Sequence, residues 1–195
     1  MNKKAIAQIA FEFISIVFAV MLALGLNSFK QSIDAENEAN KIKRSIVREC
    51  RYNLIKLDST LILNEEYASY LDSLVQLESD EIEGLYFAYE FQLLTNSAWQ
   101  LSQNNSVTNN LEEDFLITAA DIYQMQSFYQ DFSEKTFQNI GLLLARQSEL
   151  EPSDLVLSMY YNLSVINNTA QGLKNSFNEF LSQYETPLDS LENPN

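Results

Sequence analysis

The stretch Phe13 to Leu26 reads FISIVFAVMLALGL: fourteen residues without a charge, an amide or a proline. Extended back to Ala5 it becomes a 22-residue segment whose only strongly polar members are Gln8 and Glu12. Crossing a hydrocarbon core of about 30 Å takes roughly 20 helical residues. Ala5 to Leu26 is therefore expected to form one membrane-spanning helix. Gln8 and Glu12 then sit near headgroup level, and Lys3 and Lys4 lie in the interface, where lysine stems snorkel. A cleaved signal peptide would need a small-x-small site, and Gly25-Leu26-Asn27-Ser28-Phe29 is a poor one. A soluble core helix is the other alternative, but few such helices are apolar all round.

Glu12 has two readings. A carboxylate within an apolar span is costly and usually faces protein or water, which suggests a partner contact or an ion path. A carboxylate near the first turn is also favoured by the helix dipole.

Outward from the membrane, no Gly or Pro occurs between Asn27 and Glu83. Ala35, Ala39, Ile42, Ile46, Cys50, Leu54, Leu57 and Leu61 recur at steps of three and four, which marks a helix with one buried stripe. The membrane helix is expected to continue as a stalk to about Leu63. Tyr67, Leu71, Leu74 and Leu77 extend the period, either in a second helix or after a kink near Asn64. Arg44, Arg48 and Arg51 lie about one turn apart on this stalk. Like charges at that spacing cost a few tenths of a kcal/mol, so the stripe is either a solvated face or a receiver for an acidic neighbour.

Ser79 to Glu90, SDEIEGLYFAYE, is a turn region with the length and central Gly84 of a calcium loop. Glu81, Glu83 and Glu90 fall in liganding places, but Ser79 stands where Asp is usual. An acidic turn closed by Gly84 is the better reading, so no metal site is expected. Leu85 to Phe91 alternates enough for a short strand, but no partner strand is apparent.

Ser97 is placed to cap a short helix through Trp99 and Leu101, and Gln103 to Asn109 reads as a loop. Trp99 is expected in the core. Asn110 and Glu113 have capping-box spacing. The helix they open carries Phe115 or Leu116, Ala119, Tyr123, Gln126, Phe128 or Tyr129, Phe132, Thr136, Ile140, Leu143 and Leu144 on one face, ending near Gln147. Pro152 opens the next helix, as prolines do in a first turn. Its stripe is Leu155, Met159, Leu163, Ile166, Ala170, Leu173, Phe177, Phe180 and Tyr184, and Pro187 ends it. The expected architecture is all-α. A transmembrane helix continues into a long stalk helix, which packs with two further long helices and a short one as an up-down bundle. The division is residues 1–30 anchor, 31–186 acidic helical domain and 187–195 disordered tail.

Composition narrows the chemistry. Four glycines and three prolines argue against a β-rich or Gly-loop fold. There is no histidine and one cysteine, Cys50, so His/Cys zinc sites and internal disulfides are excluded. Cys50 falls on the apolar stripe and is expected to pack as a small side chain. Residues 1–56 hold nine Lys or Arg and five Asp or Glu, a net of +4; residues 57–195 hold three and twenty-two, a net of −19. Such a body is repelled by nucleic acid and by anionic lipid. Lys30, Lys41, Lys43 and Arg44 beyond the span, against Lys3 and Lys4 before it, would by counting place the larger part inside; long domains, however, translocate largely regardless of charge.

Glu12, the aliphatic run, Ala23-Leu24, Leu26-Asn27 and the aromatic Phe29 resemble a broad group of bacterial single-span proteins of unknown function. Their pattern is a Glu, an aliphatic stretch, Ala-Leu, then Asn-x-Trp just past the membrane. Here Phe29 replaces the usual Trp, and Ala19 stands where Gly is frequent. Ser97-Ala98-Trp99 and Ile122-Tyr123 are a second, looser similarity. The resemblance implies an inner-membrane anchor, a helical periplasmic domain and no chemistry. With no cofactor expected and no catalytic motif, the expected function is non-enzymatic: an accessory or scaffold subunit bound to the lipid bilayer and to other membrane subunits or copies of itself. Glu12, Asn27, Arg44, Arg48 and Arg51 are its candidate partner contacts. An extracytoplasmic sensory or ligand-binding bundle, signalling through a partner, is the alternative.

Overall fold

A computed structural model describes residues 3–82, 85–103 and 108–185 of the 195. Those residues are almost entirely helical, and no strand occurs among them. Helix α1 runs unbroken over Lys3–Val75, 73 residues, or about 110 Å at 1.5 Å per residue. The helix does not end or restart at Asn64: with no Gly or Pro between Gly25 and Val75, nothing breaks the hydrogen-bond ladder, and one helix carries the apolar run, the stalk and the first member of the bundle. A 3-10 turn at Ser79–Glu81 follows. Then come the short α2, Ser97–Ser102, and two 33-residue helices, α3 at Glu113–Ala145 and α4 at Pro152–Tyr184.

The first part of α1 stands alone. From Phe11 to Glu38 no residue is fully buried, and Ala39 is the first side chain that the rest of the molecule covers. Above it the α1 stripe goes into the core: Ile46, Cys50, Leu57, Leu61, Tyr67, Leu71 and Leu74 are buried. Helix α4 is the centre of the bundle and packs against both α1 and α3. Its stripe, from Leu155 and Met159 through Leu163, Ile166, Ala170 and Leu173 to Phe177, Phe180 and Tyr184, is buried along the whole helix. Pro152 opens α4 in its first turn, where a missing N–H costs nothing.

Two expected caps fall elsewhere. Helix α3 begins three residues after Asn110, with Glu112 as its capping residue and no side-chain cap bond. The chain before it is drawn into a turn, in which the Leu111 N–H donates to the Thr108 carbonyl. Glu113 and Asp114 in the first turn of α3 complement the helix dipole instead. Ser97 is the first residue of α2 and not its cap. The carboxylate of Glu49, on α1, accepts the Ala98 N–H at 3.1 Å. On α3, Tyr129 goes inside and Phe128 stays 61 % exposed, which resolves that pair of alternatives.

The fourth corner of the bundle is filled by an extended segment, residues 85–95, which we call the strap. Lys43 on α1 meets Glu112 at the start of α3, and Asn53 meets Gln126 further along both. Lys174 of α4 and Glu185, which caps its end, meet Asp58 and Arg51 of α1 in the reverse order. The order is therefore α1 up, strap down, α3 up, α4 down. The expected disordered tail, 187–195, lies outside the described residues.

Candidate interaction surfaces

The strap exposes a problem that elementary chemistry poses sharply. An extended segment has unpaired N–H and C=O groups on both edges, and burying them unpaired is costly. Here side-chain amides take the place of a partner strand. Asn53 donates from Nδ2 to the Thr95 carbonyl at 2.7 Å and accepts the Thr95 N–H at 2.9 Å. Asn64 does the same for Glu90, at 3.0 and 2.9 Å. Asn53 and Asn64 are eleven residues apart on a helix, and Glu90 and Thr95 five apart on an extended chain. At about 1.5 and 3.3 Å per residue, both spans are about 16.5 Å. The two asparagines thus register the strap against α1 at two points.

Further groups complete the docking. Gln126 and Gln130 of α3 donate to the carbonyls of Thr95 and Leu94, at 3.0 and 3.2 Å. The Lys56 ammonium donates to the Leu93 carbonyl at 2.9 Å, and the Tyr67 hydroxyl to that of Tyr86 at 2.5 Å. Tyr86 stacks on Tyr70, ring centres 4.7 Å apart, and Phe87 and Tyr89 pack on Phe137 of α3. Asn53, Asn64 and Gln126 are all buried. The signal for them was a polar amide at a place where the apolar period calls for Leu.

Below the strap a second polar cluster ties three helices together. The Cys50 thiol donates to the Tyr123 hydroxyl at 3.9 Å, and that hydroxyl donates to the Glu49 carboxylate at 2.6 Å. Trp99 of α2 stacks on the Tyr123 ring at 5.3 Å. Burial pushes the Cys50 thiol up to about 12; the Tyr123 hydrogen bond pulls it down and Glu49 pushes it up. Burial raises the Tyr123 phenol further still, with Cys50 and Glu49 adding to the rise. The thiolate is the nucleophilic form of cysteine, and burial disfavours it here; what the contacts show is a cluster that joins α1, α2 and α3.

The residues singled out from sequence scatter along the molecule. Glu12 and Asn27 lie exposed on the bare shaft of α1. Arg51 forms an ion pair with Glu185, the residue that caps the end of α4. Arg44 is half-buried and Arg48 exposed, and among the described residues neither reaches a carboxylate. Glu81 accepts the backbone N–H of Glu78 at 3.2 Å, closing the 3-10 turn. Glu90 has its backbone clamped by Asn64 and its side chain in solvent. Glu83 and Gly84 lie outside the described residues. Among the described residues, no group of three acidic, His or Cys side chains is placed to hold a metal ion.

Two apolar surfaces remain. One is the shaft: Phe11, Phe13, Ile14, Ile16, Phe18 and Met21 are all more than 60 % exposed. This part of α1 is long and apolar enough to cross a membrane, and no residue of its most apolar window is buried. The other is an open groove of about 610 Å³ between α3 and α4, lined by Asp121, Met125, Phe128, Thr169, Gly172 and Leu173. No model of a known protein family matches this chain, nor does any curated protein or any solved structure.

Proposed function

We propose that this protein is a non-enzymatic, membrane-anchored interaction protein, an accessory or scaffold subunit of a larger membrane assembly or homo-oligomer. The observation that carries this reading is that a wholly exposed apolar segment and a packed acidic head share one unbroken helix. Burying that segment in lipid accounts for its exposure at about 25 cal/mol per Å² of apolar surface removed from water. The same helix then transmits any contact made in the membrane rigidly to the head. In this reading the chain crosses a bacterial inner membrane once, with its head in the periplasm. The lipid bilayer and other membrane subunits or further copies are its partners, through Glu12, Asn27 and the arginine stripe. Nucleic acid is not a partner, and no cofactor takes part.

Gentle detergent extraction followed by weighing of the particle tests the proposal. The expected mass exceeds that of one chain plus its detergent. A lone monomer, with nothing co-purifying, would overturn it. The groove between α3 and α4 favours the second reading, a ligand-binding sensory bundle. A small molecule that raises the melting temperature of the wild-type chain, but not of a Gly172→Leu variant, would move the assignment there.

A further inference from the structure

The head covers one side of α1 and leaves the other side bare. Advancing about 100° per residue, Ala39, Ile46, Asn53, Leu57 and Asn64 gather on one line of the helix, and all are buried against the head. Glu12, Ala19, Leu26, Ile33, Arg44 and Arg48 fall within about 45° of the opposite line. Ile55 and Ile62 continue that line, each 59 % exposed, and Ile33 is 44 % exposed. A single outward face therefore runs from the membrane segment to the head. It carries Glu12 near one end, Lys30 and Lys41 along its length, then Arg44 and Arg48, neither of which reaches a carboxylate among the described residues, and Glu66 beyond them. Glu12 lies 32 and 36 residues from the two arginines, or about 48 and 54 Å along the helix.

That charge arrangement selects the occupant. A second copy lying alongside through this face would set Glu12 against Glu12, Arg44 against Arg44 and Arg48 against Arg48. Like charges facing each other cost several kcal/mol across an interface. Lipid answers the lower part of the face only, since the arginines stand far above the membrane segment. Resting on the anchored reading above, we infer that the outward face of α1 docks a membrane-spanning helix of a different protein. That helix runs side by side with α1, carries a hydrogen-bond donor or a cation at the depth of Glu12, and has carboxylates opposite Arg44 and Arg48. Ala19, small and central within the span, lets the two backbones approach closely.

The full-length chain, expressed in its own membrane, carries a photo-crosslinking residue in place of Ile33 or Ile55. Leu142 and Tyr161, exposed apolar positions elsewhere on the head, serve as controls. The expected result is one adduct from Ile33 and Ile55, of a mass that differs from a doubled chain, and none from the controls. Arg44→Glu with Arg48→Glu lowers its yield roughly tenfold, as expected for a lost pair of charge contacts, whereas Arg44→Lys with Arg48→Lys retains it. The adduct's partner, sequenced by mass spectrometry, contains a membrane span and carboxylates at this spacing. Reversing those carboxylates to Lys restores the adduct in the double Glu variant. Adducts between two copies, adducts with lipid alone, no adduct, or an adduct indifferent to the charge reversals each overturn the inference. An alkaline wash of the same membranes separates the two levels. If the chain stays in the pellet, only the partner assignment has failed; if it is released, the anchored reading has failed with it.

Discussion

Asn53 shows how much one side chain can carry here. It is fully buried and bonds both polar groups of Thr95 and the Gln126 amide. Asn53→Ala would leave the Thr95 N–H without this partner and empty part of the core. A loss of about 2–3 kcal/mol is expected, since a buried group stripped of its partner costs about 1–3 kcal/mol and a small cavity adds to it. Denaturant unfolding of the detergent-solubilised chain measures it. Tyr129 offers the contrast. Its hydroxyl is buried without a well-formed hydrogen bond, and burial, helped by Tyr89, raises the phenol, which the nearby Ser133 only partly offsets. Tyr129→Phe should therefore change stability by less than about 1 kcal/mol, because the hydroxyl it removes has little to lose. The buried thiol and phenols set the pH response. Cys50 and Tyr67 are each pushed up to about 12, from 9.0 and 10.0, chiefly by burial. The folded state keeps their protons where the unfolded chain has released them. Their contribution is complete below about pH 9 and is lost as the pH rises towards 12. An alkaline unfolding curve checks this, and Cys50→Ala should flatten its onset.

At the level of elements, the long helices were legible because each carries an apolar stripe of helical period over eight or more turns. The buried α4 stripe coincides with the expected one. The strap was not legible as what it is. Its alternation suggested a strand, and the search for a strand partner found none, because the partner is a row of amides on two helices. Asn64 reads as the place of a possible kink, and Asn53 lies beside the apolar stripe without drawing notice, yet the two are the registering contacts. Sequence periodicity reports where apolar surface goes. It says nothing of a helix side chain that substitutes for a β-ladder. Likewise, the arginine stripe is legible from its spacing, but which of its members the head engages is not: Arg51 pairs with Glu185, while Arg44 and Arg48 share the outward face of α1 with Glu12. Two elements should differ sharply in hydrogen exchange. The strap amides of Glu90 and Thr95, held by Asn64 and Asn53, are expected to exchange slowly, with protection approaching that of the α1 core from Ile46 to Asn64. The shaft from Asn27 to Glu38, held by the helix ladder alone and not covered by the head, should exchange faster than that core. Equal protection of shaft and core in the isolated chain would contradict the separation described.

Over the whole molecule, charge and geometry are arranged along one axis. The basic residues cluster on the first 56 positions and the acidic ones beyond, for an overall net of −15. Between Leu26, the end of the apolar run, and Ala39, where the head begins to cover α1, lie twelve residues, or about 18 Å of bare helix. The Debye length at physiological salt is about 8 Å. If the apolar run lies in lipid, as proposed, the stalk sets the acidic head about two screening lengths beyond the end of that run. On the proposed anchored reading, an anionic bilayer at that distance would scarcely feel the head's charge, so an accumulation of glutamates that would otherwise strain the anchor would be tolerated. Shortening the stalk by one or two turns should make membrane retention depend on ionic strength, which the wild-type spacing prevents.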